Sequence, residues 1–413
     1  MSDLELRPGQ MVAGGAALAR DQSGRVIFVD GALPGERVLV RLEEERRDFA
    51  RATVVQVLET SPDRVHPPCA ALVAGCGGCT WQHVHPGAQA RFKADIVTDA
   101  LRRIGRLSNP PAPSAQALGG PALRTTARLG VSVGGRAGQN RRGRVATGRR
   151  AAGARERSSS VVETDTCLAS HPLLEELIVH GRYPGAGEVL LRVGVASRER
   201  LVAVAGHVDG VAVPSDVTVV HPGDRQAGWV HEEVAGRRFR ISAESFFQSG
   251  PVAATGLADA VTAATGDALE SGGHLVDLYA GVGLFASVLA ARFGAQVTAV
   301  ENHPPAVADA RENLVDLDAR MVSSEVARWR LPPGARRPDV VVADPARPGL
   351  GRPGVATVAA TGAGRVVLVS CDPASLARDS HLLAAAGYRL VSVIMVDAFP
   401  HTFHVETVSR FDR

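Results

Sequence analysis

The stretch LVDLYAGVGLF, residues 275–285, joins an apolar run to a glycine-rich turn and then to a second apolar run. Glycines let the backbone pass close to a ligand, and the free amide groups at the start of a following helix face it. The pattern predicts a strand, a turn and a helix of a doubly wound fold, in which ligands bind at the C-terminal ends of the strands. A Gly-x-Gly turn alone is weak support for a nucleoside cofactor, and a tight structural turn is the alternative.

The next apolar run, residues 296–301, ends in an acid. Glu301 is placed to accept hydrogen bonds from ribose hydroxyls, as acids at this position do in doubly wound folds. The turn lacks the third glycine of the dinucleotide fingerprint, since Ser287 and Val288 stand beyond it. It fits instead the looser Asp-x-x-x-Gly-x-Gly arrangement, beginning at Asp277, that is seen in methyltransferases.

Strands alternate with helices from about residue 242 onward, which indicates a mostly parallel sheet. The predicted strands are residues 274–278, 296–301, 339–343, 365–370 and 388–397.

Residues 1–58 have a different pattern. Three runs alternate in the manner of β-strands, at residues 24–29, 36–41 and 50–58, with a Pro- and Gly-containing turn between the first two. They predict a small, OB-like β-barrel, a fold that commonly binds oligonucleotides.

The remaining segment, residues 59–241, holds a cysteine cluster, a predicted helix at residues 87–104 and an arginine-rich loop. The predicted fold is therefore multidomain α/β, with a β-barrel at residues 1–58 and a central α+β domain at residues 59–241. A doubly wound, Rossmann-like domain follows at residues 242–413.

The net charge of +3 hides an uneven distribution. Ten arginines and one acid lie between Arg124 and Arg157, so this segment needs either a polyanion or a solvated surface. Lys93 is the only lysine, so part of the arginine content reflects a compositional bias. The longest apolar run, residues 278–291, is too short to cross a bilayer, and the first residues have no signal-peptide pattern. We expect a cytoplasmic protein with no membrane partner.

Five cysteines in a chain without export signals favour metal or catalytic roles over disulfides. Four of them form a possible ligand set, and the two glycines between the second and third allow a tight backbone there: Cys69, Cys76, Cys79 and Cys167. Four thiolates suit zinc or an iron–sulfur cluster, and chemistry alone favours zinc. Trp81, next to the cluster, is a candidate for stacking on an RNA base.

The fifth cysteine, Cys371, follows an apolar run directly and precedes Asp-Pro. A thiol at the C-terminal end of a parallel strand faces the ligand cleft, although a buried, inert cysteine is the more common case. Asp344 and Arg347 end another strand in the same way, where an ordinary ion pair is the alternative.

Two histidines and an acid, His401, His404 and Glu406, lie near the C-terminus. Their spacing does not match a zinc protease helix, and Pro400 argues against a helix, so general acid or base work suits them better. A thiol and a carboxylate are needed together when carbon 5 of uracil is methylated. A thiolate adds to carbon 6 and makes carbon 5 reactive, and a base then removes the carbon 5 proton. Cys371 and Glu406 would fill these roles.

At these residues the chain resembles the RNA uracil-5 (5-methyluridine) methyltransferases, including members with an N-terminal TRAM domain and an iron–sulfur cluster. The resemblance covers essentially the whole chain. It implies that Cys371 is the nucleophile and Glu406 the base, and that residues 1–58 are an RNA-binding TRAM domain. The cofactor contacts that it implies are Phe247, Gln248, Tyr279, Glu301 and Asp344.

The same resemblance favours a four-iron–four-sulfur cluster over zinc at the four clustered cysteines. Ala346 and Leu284 depart from the family, which usually has proline and often asparagine at these positions. We therefore expect an S-adenosylmethionine-dependent enzyme that acts on RNA, ribosomal RNA in preference to transfer RNA, and that is a monomer. The alternative is a catalytically inactive RNA-binding protein with an iron–sulfur or zinc site.

Overall fold

The computed structural model describes residues 3–121, 123–132, 134–140, 161–221, 228–269 and 272–413. Most of the predicted arginine-rich loop, residues 141–160, lies outside these ranges. In the described ranges, none of the helices combines the length and the apolar character that crossing a membrane requires.

The N-terminal region forms one six-stranded sheet in the order β1-β5-β6-β4-β3-β2. Its strands are β1 (Leu4–Leu6), β2 (Gln10–Met11), β3 (Ala17–Arg20), β4 (Val26–Asp30), β5 (Arg37–Glu45) and β6 (Phe49–Glu59). All pairs are antiparallel except β4 with β6. Val38 and Val40 of β5 are fully buried because alternate side chains of a strand point to the same face. The three predicted strands correspond to β4, β5 and β6, and closure of the sheet into a barrel stays a prediction.

Two helices, α1 (Ala70–Val73) and α2 (Pro86–Arg103), follow this sheet. The longer one matches the helix predicted at residues 87–104. Phe92 and Ile96 of α2 belong to the core of the N-terminal sheet, whereas Val97 and Leu101 belong to a core of the C-terminal sheet. Helix α2 is therefore packed between the two regions and touches both.

The central region holds two sheets and a helix. In chain order the elements are β7 (Ser114–Ala115), β8 (Thr126–Val131), β9 (Ala137–Asn140), β10 (Val161–Val162), α3 (Pro172–His180), β11 (Glu188–Val193), β12 (Arg200–Ala205), β13 (Val217–Val220), β14 (Trp229–Val234) and β15 (Arg237–Ser242). One sheet has the order β10-β9-β8-β11-β12-β13, and β14 and β15 form a separate hairpin.

The C-terminal region is a sheet of eight strands in the order β18-β17-β16-β19-β20-β22-β21-β7. Its own strands are β16 (His274–Leu278), β17 (Gln296–Glu301), β18 (Ala319–Ser323), β19 (Val340–Ala343), β20 (Arg365–Ser370), β21 (Arg389–Val396) and β22 (Glu406–Asp412). The first five strands in that order are parallel to one another, and β22 is antiparallel to both of its neighbours. The edge strand β7 comes from the predicted central domain, so that domain contributes directly to this sheet.

Helices cover both faces of this sheet: α4 (Pro251–Thr265), α5 (Leu284–Phe293), α6 (Pro304–Asn313), α7 (Gly351–Thr361) and α8 (Pro373–Ala385). Two hydrophobic cores result, one on each face. Val340 and Val342 of β19 lie in one core, and Val341 and Ala343 lie in the other. Strands buried on both faces read as continuous apolar runs, which is why the sequence revealed them.

Apart from the edge strand β7, the sequence missed two strands of the C-terminal sheet, β18 and β22. The second of these matters for the site, because β22 lies between β20 and β21 and begins at Glu406.

Candidate active site

The ends of three neighbouring strands bring the predicted nucleophile and base together. Ser370, the last residue of β20, pairs with Thr407 of β22. The residue after Ser370 is Cys371 and the residue before Thr407 is Glu406, so these two lie side by side where the strands begin to separate. Asp344 directly follows β19, the next strand of the sheet.

These groups alter one another's proton affinity. Burial raises the pKa of the Cys371 thiol to about 11; the negative charge of Glu406 adds to this, and the Arg347 guanidinium, by its charge and a hydrogen bond, opposes it. Glu406 is 6% exposed, and burial, together with Asp344, raises its pKa well above the usual range. Burial likewise raises the pKa of Asp344 to about 7. At neutral pH the thiol is therefore protonated, and Arg347 favours formation of the thiolate.

Both histidines near the base have fixed contacts. Arg347 donates from Nη2 to His404 Nδ1 at 3.1 Å, and burial, followed by the positive charge of Arg347, lowers the pKa of His404 to about 4. Ring atom Nδ1 of His401 lies 3.3 Å from Nε2 of Gln89, and burial lowers the pKa of His401 as well. Both rings are neutral and are held in place by these contacts. This geometry therefore gives no support to the predicted acid–base role of the two histidines.

A cavity of about 230 Å³ opens at the ends of β16, β17 and β18, and two of the predicted cofactor contacts, Tyr279 and Glu301, line it. The other lining residues are Asn302, Glu325, Val326 and Ala327. Glu301 accepts a hydrogen bond from the amide of Gly281 at 3.0 Å, which fixes the glycine turn against the end of β17. The φ of Tyr279 is 62°, in the left-handed region that costs an L-residue roughly 1–2 kcal/mol. Such strain is typical of ligand sites.

Two other predicted cofactor contacts, Gln248 and Asp344, lie between this cavity and Cys371, because Asp344 follows β19, which separates β16 from β20. The third, Phe247, packs against the hydrophobic core. The buried amide of Gln248 donates from Nε2 to Asp344 Oδ2 at 3.3 Å. Asp277 of β16 pairs with β17 on one side and β19 on the other. Burial raises the pKa of Asp277 to about 8, and Asp344 and Glu301 add to the rise. Asp277 Oδ2 accepts from the amide of Ala286 at 3.0 Å, which ties β16 to the first turn of α5.

Sequence reasoning did not assign roles to Asp277, Asn302 or Glu325. The first is the opening acid of the quoted Asp-x-x-x-Gly-x-Gly pattern, and the second directly follows Glu301, so both carried a signal. Glu325 lies two residues after β18, the strand that the sequence did not predict, and no signal could have found it. Leu284, where the chain departs from the expected asparagine, is buried in the core.

The four clustered cysteines line a second cavity, in the central region. Arg124, Gln82 and Ser170 share this lining with Cys69, Cys76, Cys79 and Cys167. All five cysteines lie in the described ranges, and none forms a disulfide. Burial raises the pKa of Cys79, with small additions from Cys167 and Cys76, while the positive charge of Arg124 lowers it.

The cysteine cavity is not an arrangement for one metal ion. Within the described part of the chain, no three His, Cys, Asp or Glu side chains form a group that could hold a single ion. A zinc ion needs thiolates about 4 Å from one another, from a Zn–S bond of about 2.3 Å. Donors to sulfur are present: Gly78 N lies 3.5 Å from Cys76 Sγ, and Ser170 Oγ lies 3.2 Å from Cys167 Sγ.

The expectation that Trp81 stacks on RNA is wrong. This side chain is 1% exposed, and its indole Nε1 donates to the carbonyl of Gly15 at 3.0 Å. Its backbone amide donates to the carbonyl of His401 at 2.7 Å. Trp81 therefore joins the N-terminal sheet, the cysteine segment and the C-terminal region, and no face of it is open to a base.

The chain is similar in sequence to known proteins over nearly its whole length. Residues 10–55 match the TRAM domain. An RNA methyltransferase of Streptomyces coelicolor is 34% identical over 98% of this chain and 92% of its own length. A 23S rRNA (uracil(1939)-C(5))-methyltransferase of Methylococcus capsulatus is 33% identical over 94% of this chain and 93% of its own.

Among solved structures, the tRNA (uracil-54, C5)-methyltransferase of Pyrococcus abyssi, in complex with S-adenosyl-L-homocysteine, is similar with a TM-score of 0.70. It covers 98% of this chain and 99% of its own, at 22% identity, so the likeness is one of fold. The relatives at 33–34% identity span nearly the whole chain. The protein therefore belongs to the RNA methyltransferase family and carries a TRAM domain near its N-terminus.

Proposed function

We propose that the enzyme transfers a methyl group from S-adenosylmethionine to carbon 5 of a uridine in RNA. The observation that carries the proposal is the adjacency of Cys371 and Glu406, at the paired ends of β20 and β22, next to the acid at the end of β19. Methylation of an amine or a hydroxyl needs no thiol, whereas carbon 5 of uracil becomes reactive only when a nucleophile adds to carbon 6.

The reaction begins at Cys371. Its thiol releases a proton to water, and the thiolate bonds to carbon 6 of uracil, so that the electron pair of the 5,6 double bond moves into an enolate. Arg347, which hydrogen-bonds the thiol, stabilises the thiolate. Carbon 5 of the enolate then forms a bond to the methyl group, and S-adenosylhomocysteine leaves.

Glu406 completes the reaction. As a carboxylate it takes the proton from carbon 5, the electron pair restores the 5,6 double bond, and the bond between carbon 6 and sulfur breaks. Burial raises the pKa of this carboxyl, which makes its anion a stronger base than an exposed glutamate. Cys371 is regenerated as a thiolate.

The methyl donor would bind between the 230 Å³ cavity and Cys371. S-adenosylmethionine supplies an electrophilic methyl group on a sulfonium. Tyr279, Glu301 and the other residues of the 230 Å³ cavity would hold its adenosine. Gln248 and Asp344, bonded to each other between this cavity and Cys371, would hold the end that carries the methyl group. Because each carboxylate oxygen has a second lone pair, Glu301 can accept from ribose while it holds Gly281.

Several features support RNA, and ribosomal RNA in particular, as substrate. The TRAM domain at residues 10–55 is typical of RNA-binding enzymes, and the M. capsulatus relative is named for 23S rRNA. Phe246, two residues before Gln248, is 70% exposed. An exposed aromatic ring there can stack on an unpaired base. We keep the predicted domains, residues 1–58, 59–241 and 242–413, and the monomeric state as part of this proposal.

We further propose that Cys69, Cys76, Cys79 and Cys167 hold a four-iron–four-sulfur cluster. Their convergence on one cavity and the donors to their sulfurs support it. No residue of the cavity reacts with uracil in the scheme above, so the cluster would stabilise the central region rather than take part in methyl transfer.

The test is methyl transfer to unmodified transcripts. Purified enzyme with labelled S-adenosylmethionine should label 23S rRNA more than a tRNA transcript, and digestion of the RNA should release the label as 5-methyluridine. A transcript with 5-fluorouridine at the target should instead trap the protein covalently, because fluorine cannot leave as a proton does. Label in any other nucleoside, or full turnover by Cys371→Ala, would refute the proposal.

A further inference from the structure

Lys93 is unusual for its type and its place. It is the only lysine among the 46 lysine and arginine residues of the chain, and its side chain is 1% exposed. A buried ammonium is costly unless it is paired, and an arginine is the usual choice for exposed ion pairs in this protein. The ammonium has two partners, Asp397 Oδ1 at 2.6 Å and the carbonyl oxygen of Phe399 at 3.1 Å.

Both partners lie in the segment that leads to the base. We call residues 397–405 the base loop: it connects β21 to β22, and Glu406 follows it directly. Val396 and Glu406 pair across the two strands at the point where the loop begins and ends. A shift of the loop therefore moves the carboxylate of Glu406.

A second side chain of α2 holds the same loop one turn away. Gln89 lies four residues before Lys93 and so on the same face of the helix. Its Oε1 accepts from the amide of His401 at 2.8 Å, and its Nε2 lies 3.3 Å from the ring of His401.

The loop needs this support because it is bent at His401. This residue has a φ of 61°, in the left-handed region that non-glycine residues rarely adopt. Its amide is held by Gln89, and its carbonyl accepts from the amide of Trp81 at 2.7 Å. A strained conformation persists only where its surroundings fix it, and α2 is the main part of those surroundings.

From these contacts we infer that Lys93, with Gln89, is a positioning residue of the methyl-transfer reaction and sets the place of Glu406 through the base loop. The inference rests on the proposed function, in which Glu406 removes the proton from carbon 5. Loss of the Lys93 contacts then slows that step and leaves the earlier ones nearly intact. The intermediate with methyl on carbon 5 and Cys371 on carbon 6 should accumulate, because the proton that must leave stays in place.

The test uses ordinary uridine transcripts and single-residue variants of the full chain. Lys93→Met should lower kcat about 10–100-fold, as expected for a misplaced catalytic group, and change KM for RNA little. On denaturing gels it should retain a covalent protein–RNA product that carries the labelled methyl group, as Glu406→Gln should. Arg103→Met is the matched control: it removes one cation from the same helix, but its ion pair with Asp99 is exposed. It should turn over like the wild type.

Asp397→Asn serves if Lys93→Met does not fold, because Asp397 is 38% exposed and the substitution keeps its shape. It should show the same methylated adduct to a smaller extent. If either folded variant turns over like Arg103→Met, or is slow without the methylated adduct, the inference is wrong. Retained methylation by Cys371→Ala would instead refute the proposed function, so the two failures are distinct.

Discussion

The protein places cysteine in two settings that differ in their neighbours. Cys371 stands alone at the end of β20, with a buried carboxylate beside it and an arginine bonded to it. The four cysteines of the central region face one another across a cavity, with one arginine, Arg124, in its lining. A single thiol beside a base suits addition to a substrate, whereas four thiols around one cavity are the ligand set that the proposed cluster would need.

The two settings are distant in the chain and close in space. Trp81, two residues after Cys79, donates to the carbonyl of His401 in the base loop. Arg124 lines the cysteine cavity, and its charge also lowers the pKa of His404. The cysteine region is therefore one of the supports of the loop that precedes Glu406.

The largest expected effect comes from removing a cysteine from each of the two settings in turn. Cys371→Ala should lower methyl transfer by at least about 10⁴-fold, since the nucleophile has no substitute, and should abolish the 5-fluorouridine adduct. It should keep the iron content of the wild type, measured by metal analysis. Cys79→Ala should do the reverse and lose iron while it still forms the adduct. Loss of the adduct in both variants would break the comparison.

A smaller effect should follow pH. Because the pKa of Cys371 is about 11, the fraction present as thiolate rises about tenfold with each unit of increase in pH, as long as the pH stays below that value. The rate of 5-fluorouridine adduct formation, which stops before Glu406 acts, should therefore rise about 100-fold from pH 7 to pH 9. Rapid quenching and denaturing gels measure it. A rate that levels off near pH 8 would mean that the thiol titrates like an exposed cysteine.

Arg347→Gln should have a weaker effect of the same origin. The guanidinium opposes the rise in the pKa of Cys371, so its removal raises that pKa further and reduces the thiolate at a given pH. Adduct formation at pH 8 should slow about tenfold for each unit of added shift and should recover at higher pH. Arg124→Gln, the arginine of the cysteine cavity, is the comparison and should stay within about twofold of the wild type. A loss in Arg347→Gln that no pH restores would point to a contact with RNA instead.

The sequence predicted the features of these two settings that depend on local sequence pattern. Cys371 and Asp344 follow strands that are buried on both faces and read as apolar runs, and Glu301 ends a strand whose apolar run is interrupted by Thr298. Both the sheet and the edge that carries these residues were therefore predictable. Contacts between distant segments were not. Lys93 and Asp397 are 304 residues apart, and nothing in either neighbourhood indicates the pair. Trp81 was misassigned for the same reason, because an indole beside a cysteine cluster reads alike whether it faces solvent or the carbonyl of Gly15.

The smallest effect on methylation should come from the cysteine cavity itself, and it sharpens the comparison most. If the cluster only supports the base loop through Trp81, Cys79→Ala should slow turnover by no more than about threefold at 25 °C, where the loop is still held by α2. Its thermal midpoint should fall by roughly 5 °C or more, because a lost metal site removes about 2 kcal/mol or more from a domain of this size.

Adduct formation and turnover, measured at temperatures up to the unfolding transition, decide between a supporting and a direct role of the cluster. Turnover could fall well below the unfolding transition, and by more than adduct formation does. That result would mean that the cluster affects the position of Glu406 more than the single hydrogen bond from Trp81 to His401 suggests. A drop in adduct formation itself would mean that the cysteine cavity acts on Cys371, and the separation of the two thiol settings would fail.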